Sequence, residues 1–300
     1  MVIAIFFLFG LVIGSFLNVC IARIPEEVSI VSPRSRCPQC HQPIKSYDNI
    51  PVVSWLLLGG KCRNCKARIS AQYPLVELLT GLLFVACYLS FGLSLVTAKW
   101  MVFTGLILVL TVTDLRVRLL PDAVNFFGMG LGLAFALRVP PQDELVQQIV
   151  CRTTSLSPAS PIVGVLDALI GALFGSLLLW GVATLYKIAR KREGMGMGDV
   201  KMIAMIGTFA GVRGVFLTIL LGSLLGSILG LAIVSGLYFV GWKRPLAMRA
   251  SRRGLGSERG IRWAIASAYQ LPFGTFLGIG ALLFVHFDPW IGSMFARALR

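Results

Sequence analysis

Twenty residues from Val2 to Ile21 carry no charged side chain, and comparable apolar runs recur to the end of the chain. Such a run has few stable solutions. In hydrocarbon every backbone N–H and C=O must find its partner within the segment, so a run of this length forms a helix across a bilayer. The composition agrees, with 56% hydrophobic and 14% charged residues over 300 positions, a balance rarely found in water-soluble domains. The fold class expected is an all-α polytopic membrane protein. The first run lacks a basic start and a small-residue cleavage site, so it reads as a retained helix rather than a signal peptide. The formal charge of +15 could suggest nucleic acid, but Lys and Arg collect in the cytoplasmic loops of membrane proteins. No nucleic-acid partner is expected.

The basic residues fix an orientation. After the first helix (residues 2–22), the polar segment 23–74 contains Arg23, Arg34, Arg36, Lys45, Lys61, Arg63, Lys66 and Arg68, opposed only by Glu26, Glu27 and Asp48. This places the segment in the cytoplasm and the N-terminus outside. Further spans are expected at about 75–91, 98–113, 123–137 and 162–185, with a short apolar piece at 200–211, then 214–240 and 268–287. That makes about eight crossings. The basic loops around Arg116 and Arg118, around Lys187 to Arg192, and at 242–263 then all fall on one face. The loop 138–161 lies on the other. Three parts follow: a first helix (1–22), a cytoplasmic module (23–74) and a membrane body (75–300).

Within the module, Cys37-Pro-Gln-Cys40 and Cys62-Arg-Asn-Cys65 are two C-x-x-C pairs separated by 21 residues. Each pair makes a tight knuckle, and two knuckles supply the four thiolates of a tetrahedral zinc site. A reducing cytoplasm argues against structural disulfides, so a small zinc-ribbon-like insertion with structural Zn2+ is expected. Four thiolates leave no open position for substrate. His41 is then surplus and solvated, while Cys20, Cys87 and Cys151 are packing residues.

Only thirteen acids exist, and most sit in loops where solvation suffices. Asp167 is expected to be solvated near the outer end of its helix. Glu77, one turn into the second helix, faces the basic module; an ion pair is its first reading and a substrate contact its second. Asp114, Asp122 and Asp199 remain, all at the cytoplasmic boundary. Two carboxylates brought together can share a proton and activate water for amide hydrolysis. They can equally pair with Arg116, Arg118 or Lys201, or cap a helix. The sequence contains no H-E-x-x-H motif and no Ser-His arrangement that would point to other hydrolytic chemistry. Asp199 lies in Gly194-Met-Gly196-Met-Gly198-Asp199-Val-Lys201, where Gly196 and Gly198 would let a substrate backbone come close.

An ordered set of motifs carries a resemblance along nearly the whole chain. It comprises Gly14-Ser-Phe-Leu-Asn18-Val19 with Arg23 and Pro25, the two cysteine pairs with Asp48-Asn-Ile-Pro51 and Ser54-Trp-Leu56 between them, and Tyr73-Pro-Leu-Val-Glu77. Asp114 with Leu120-Pro-Asp122, then Gly196-Met-Gly-Asp199-Val-Lys201, and finally Pro272-Phe-Gly274 complete it. The chain resembles the type IV prepilin peptidases, the leader peptidase/N-methyltransferases, which are intramembrane GxGD-type aspartic proteases. One departure is Gln72, where the family often has Arg before Tyr-Pro.

The resemblance implies an endopeptidase of the bacterial inner membrane serving type IV pilus or type II secretion. It would cut the basic leader of prepilins or pseudopilins after a Gly at the cytoplasmic face. It implies Asp114 and Asp199 as the catalytic pair; Gly196, Gly198, Lys201, Glu77 and Asp122 are expected beside them as substrate-binding or supporting residues. It also implies methylation of the new N-terminus from S-adenosylmethionine, for which no glycine-rich fingerprint marks a site. Three rivals stay open: a peptidase without methylation, a proton-coupled transporter using boundary carboxylates, and a membrane scaffold whose zinc module binds partners. A transporter should show inverted repeats, and none is visible between the halves.

Overall fold

The structure is a computed structural model and describes residues 1–139, 144–154, 157, 160–192, 194–239 and 272–298. The described residues are helical or irregular, with no strand beyond two isolated bridges. In chain order the helices are α1 (Val2–Arg23), α2 (Val53–Leu57), α3 (Gln72–Phe91), α4 (Leu95–Val117), α5 (Asp122–Ala136), α6 (Glu144–Thr154), α7 (Pro161–Arg190), α8 (Met197–Phe239) and α9 (Phe273–Ala298). Local signals set several ends. The Ser94 hydroxyl accepts the Thr97 N–H at 3.3 Å to start α4, and Ser160 with Pro161 opens α7, as capping chemistry predicts.

Among the described residues, five helices are long and apolar enough to cross a bilayer: α1, α3, α4, α7 and the greater part of α8. The count of about eight crossings is therefore not confirmed by helix length among the described residues. Two expected spans are short apolar helices, Asp122–Ala136 and Phe273–Phe287. At 1.5 Å per residue, a helix of α5's 15 residues falls short of a hydrocarbon core about 30 Å thick. The short piece expected at 200–211 and the span after it form α8, which breaks at Gly211, whose φ of +67° is open only to glycine without strain. The basic loop 242–263 lies outside the described residues.

Packing around this break explains its position. A Cβ at Gly171 of α7 would sit 2.7 Å from the Gly207 carbonyl oxygen and 2.7 Å from the Gly211 Cα. Gly171-x3-Gly175 and Gly207-x3-Gly211 thus let two backbones touch, the way small residues drive helix association in lipid. The bundle is most buried along α4 and the first half of α8. Phe103, Ile107 and Leu110 of α4 share one buried cluster with Met202, Ile203, Ile206 and Phe209 of α8, and the ring centroids of Phe103 and Phe209 lie 5.2 Å apart. Leu8, Leu177, Leu185 and Leu224 point outward, as expected for lipid-facing positions. These two central helices carry the two aspartates.

The opposite end of α4 corrects one expectation. Asp167 is fully buried, at 0% exposure, and Lys99 is 2% exposed. The Asp167 charge acts on Lys99, whose ammonium donates to the Val139 carbonyl at 3.2 Å. Charges buried in hydrocarbon must be compensated within the protein, and a buried acid beside a buried base does this without solvent.

Candidate active site

Asp114 lies in the last turn of α4, where its carbonyl accepts the N–H of Arg118, the left-handed residue that ends the helix. Asp199 is the third residue of α8. Its carboxylate turns back toward the Gly196 amide just ahead of the helix, the reach of an acid in a capping box. One is 6% exposed and the other 8%. Gly274, in the first turn of α9, brings them together. A Cβ there would lie 3.0 Å from Asp114 Oδ2, 3.0 Å from Asp199 Oδ1 and 2.9 Å from the Leu120 side chain. The two oxygens are therefore no further apart than twice 3.0 Å, the most that one water oxygen can bridge by hydrogen bonds of about 3.0 Å to each side.

Asp114 Oδ2 accepts two hydrogen bonds, from the Thr275 N–H at 2.6 Å and from the Thr275 hydroxyl at 2.9 Å. Thr275 follows directly on Pro272-Phe-Gly274, yet sequence reasoning passed over it. The available signal was a hydroxyl residue in the first turn of a helix, a position that commonly binds acceptors.

The other residues singled out in the sequence sit around this pair in different ways. Lys201 forms an ion pair with Asp122 at 2.6 Å, tying the start of α5 to the start of α8 beside the site. Both side chains are partly exposed, so the pair adds little stability by itself. Gly198 has a packing reason to lack a side chain, since a Cβ would be 2.9 Å from the Leu120 Cβ. Gly196 faces open space, its nearest foreign atom being an Asp199 oxygen at 3.8 Å. Leu120 thus rests against Gly198 of α8 and Gly274 of α9.

Glu77 is buried, and Oε2 accepts the Val52 N–H at 2.8 Å. Its partner is a backbone amide rather than the cation expected. Val52 has φ +62°, an unfavourable setting for a β-branched residue. Close packing on α1 surrounds this point: a Cβ at Gly14 would meet the Glu77 Cα at 2.7 Å, and the Asn18 amide donates to the Tyr73 carbonyl at 2.9 Å. The Gly14-to-Asn18 and Tyr73-to-Glu77 stretches are two halves of one helix crossing, on which the cysteine module sits.

In that module the four sulfurs of Cys37, Cys40, Cys62 and Cys65 all lie within 4.8 Å of one another, with Cys37 and Cys65 at 3.7 Å. A tetrahedral zinc site with Zn–S bonds of about 2.3 Å has sulfurs about 3.8 Å apart, so the residues fit the metal. The knuckles are near copies. Cys37 N–H bonds to the Gln42 carbonyl and Cys62 N–H to that of Ala67, and the residue after each pair, His41 or Lys66, takes a left-handed backbone. The backbone amides of Cys40 and then Gln39 pull the Cys37 thiol down to about 6. Cys65 is held up at about 11; the Ala67 amide opposes this, but partial burial and the facing sulfurs of Cys40, Cys37 and Cys62 prevail. Four thiolates at this spacing need a cation, and a dication satisfies them. His41 is exposed, Cys20 and Cys87 are buried in the core, and Cys151 is half-buried.

Comparison with known proteins covers both regions. Residues 8–91 match the Bacterial Peptidase A24 N-terminal domain and residues 101–231 the Type IV leader peptidase family. A prepilin leader peptidase/N-methyltransferase of Aeromonas salmonicida is 36% identical over 253 residues, covering 76% of this chain and 80% of the relative. One of Pseudomonas aeruginosa is 36% identical over 250 residues, with 76% and 79% covered. One of Neisseria gonorrhoeae is 33% identical over 241 residues, with 72% and 77% covered. No solved structure matches the chain. Five bilayer-length apolar helices and a four-cysteine cluster among the described residues agree with these likenesses in marking a multi-pass membrane protein. The chain belongs to the type IV leader peptidase family.

Proposed function

We propose that this chain cleaves the basic leaders of prepilins or pseudopilins after a Gly, using Asp114 and Asp199 as the catalytic pair, and then methylates the new N-terminus. The observation that carries the cleavage reading is the convergence of both buried carboxylates on Gly274. One carboxylate takes a proton from a shared water as the water oxygen bonds to the scissile carbonyl carbon. The other gives its proton to the carbonyl oxygen. As the C–N bond breaks, the amine leaving group receives the proton gained by the base, and one hydroxyl of the tetrahedral diol returns its proton to the other carboxylate as the C=O re-forms, so the pair ends with the one proton it began with. The named activity of the relatives supports the same reading.

On this reading 1–22 is the first membrane helix, 23–74 a zinc-binding module and 75–300 the peptidase body. Cys37, Cys40, Cys62 and Cys65 would hold a structural zinc that supplies folding energy to the module rather than chemistry. The active end faces the cytoplasm of the bacterial inner membrane, because Arg23, Arg116, Arg118 and the Lys187-to-Arg192 cluster share it. S-adenosylmethionine enters through the relatives' name; no residue of this chain is assigned to it.

The test is incubation of the purified protein with a prepilin, with and without labelled S-adenosylmethionine. Wild type is expected to release the leader and, in the second arm, to label the mature N-terminus. Asp114→Asn and Asp199→Asn should each lose cleavage while remaining folded in membranes. Substantial cleavage by either variant would sink the dyad. Cleavage by wild type without label transfer would leave a peptidase and remove the methyltransferase.

A further inference from the structure

The first turn of α9 supplies a contact to Asp114 that neither aspartate motif contains. Thr275 is the third residue of that helix, where a backbone N–H has no acceptor within the helix. The Asp114 carboxylate, arriving from α4, takes that N–H and caps α9 across 161 residues of sequence. The Thr275 hydroxyl reaches the same oxygen at 2.9 Å and the Thr111 carbonyl only at 3.4 Å. A hydroxyl has one proton to give, and the shorter contact to a carboxylate receives it. Thr275 is 7% exposed, so solvent does not compete for either donor.

We propose that Thr275 is a positioning residue for the peptide cleavage, an inference that rests on the peptidase reading above. A carboxylate with two free oxygens can turn about its Cβ–Cγ bond and exchange them. Two donors on one oxygen stop that rotation and make Oδ2 an acceptor. Any proton that Asp114 carries during the reaction then resides on Oδ1, and Oδ2 keeps its place beside Gly274, opposite Asp199 Oδ1. Fixing the reacting groups in this way is worth orders of magnitude in rate when the geometry is lost.

The experiment measures prepilin cleavage by the full-length purified protein across a range of pH, comparing wild type with Thr275→Val and Thr275→Ser. Valine keeps the shape and the N–H but removes the hydroxyl, whereas serine keeps the hydroxyl and removes the methyl. Thr275→Val is expected to lower kcat about tenfold, the scale of one hydrogen bond to a charged group. Its KM should stay within about twofold and one limb of its pH–rate profile should move, as for a change at an ionisable catalytic group. Thr275→Ser should return kcat to within about twofold of wild type, with the wild-type profile, because it keeps the same donor. A Thr275→Val enzyme with wild-type kcat and profile overturns the inference, as does a serine variant as slow as the valine one. Should valine prevent folding, Thr275→Ala removes the same hydroxyl with less bulk and is judged by the same two readouts. Wild type that cleaves no prepilin overturns the peptidase reading itself, so the two failures are distinct.

Discussion

At the scale of single residues the site depends on what is missing as much as on what is present. A methyl at Gly274 would stand 3.0 Å from an oxygen of each aspartate, where only a hydrogen-bonding atom can sit at that distance. Gly274→Ala is expected to lower kcat roughly a hundredfold by misplacing water and carboxylates, read in a prepilin cleavage assay beside a thermal unfolding curve that stays close to wild type. Gly196→Ala should cleave near the wild-type rate, since a Cβ there meets nothing nearer than 3.8 Å. Equal damage from both would mean that the loop conformation, not the gap at Gly274, is what matters. Asp199 stood out because an acid among glycines at a membrane boundary is rare, and Asp114 only as one of three acids at that boundary, with the resemblance naming it as the partner. Thr275 was not, because a lone threonine in an apolar stretch has no distinguishing pattern until Asp114 is seen facing it.

Individual elements show why the cysteine module and the membrane helices belong together. Two copies of a knuckle were readable from C-x-x-C spacing, since the ligand count and local backbone are set within eight residues. What holds the module to the bundle was not readable. Glu77 was expected to meet a cation or the substrate, but it satisfies the amide of Val52. Glu77→Ala leaves that buried donor unpaired, at a cost of about 1–3 kcal/mol. Faster limited proteolysis within 24–71, with unchanged KM for a prepilin, is the expected result. A raised KM with unchanged proteolysis would make Glu77 a leader contact instead. Metal removal acts on the same element. A strong chelator, or Cys37→Ser, should unfold the module and open 24–71 to protease, because metal binding and folding are one equilibrium in such sites. Unaltered proteolysis after complete chelation would rule out a structural metal there.

For the whole molecule, the arrangement predicts opposite accessibility for its two ends. Ser157 and Arg192 are both exposed, and the chain reaches one from the other through α7. Ser157→Cys is expected to react with a membrane-impermeant maleimide in intact spheroplasts, and Arg192→Cys only after permeabilisation, with wild type as the background for native thiols. Labelling of Arg192→Cys in intact spheroplasts would invert the orientation drawn from the basic loops. Hydropathy and cysteine spacing by themselves determined the helical membrane class and the four-cysteine knuckles, because the first depends on partition between water and lipid and the second on residues close in sequence. The number of full crossings escaped them, since a helix as short as α5 or a break such as Gly211 depends on neighbours that cover the exposed backbone. The stretch from Gly194 to Lys201 announced an acid in need of a partner. Only the tertiary structure decided that Asp114 stands across from it at Gly274, that Lys201 belongs to Asp122, and that Thr275 donates to Asp114. Those contacts join residues from about 80 to 160 positions apart, and such distances are closed by helix packing rather than by any local preference of the chain.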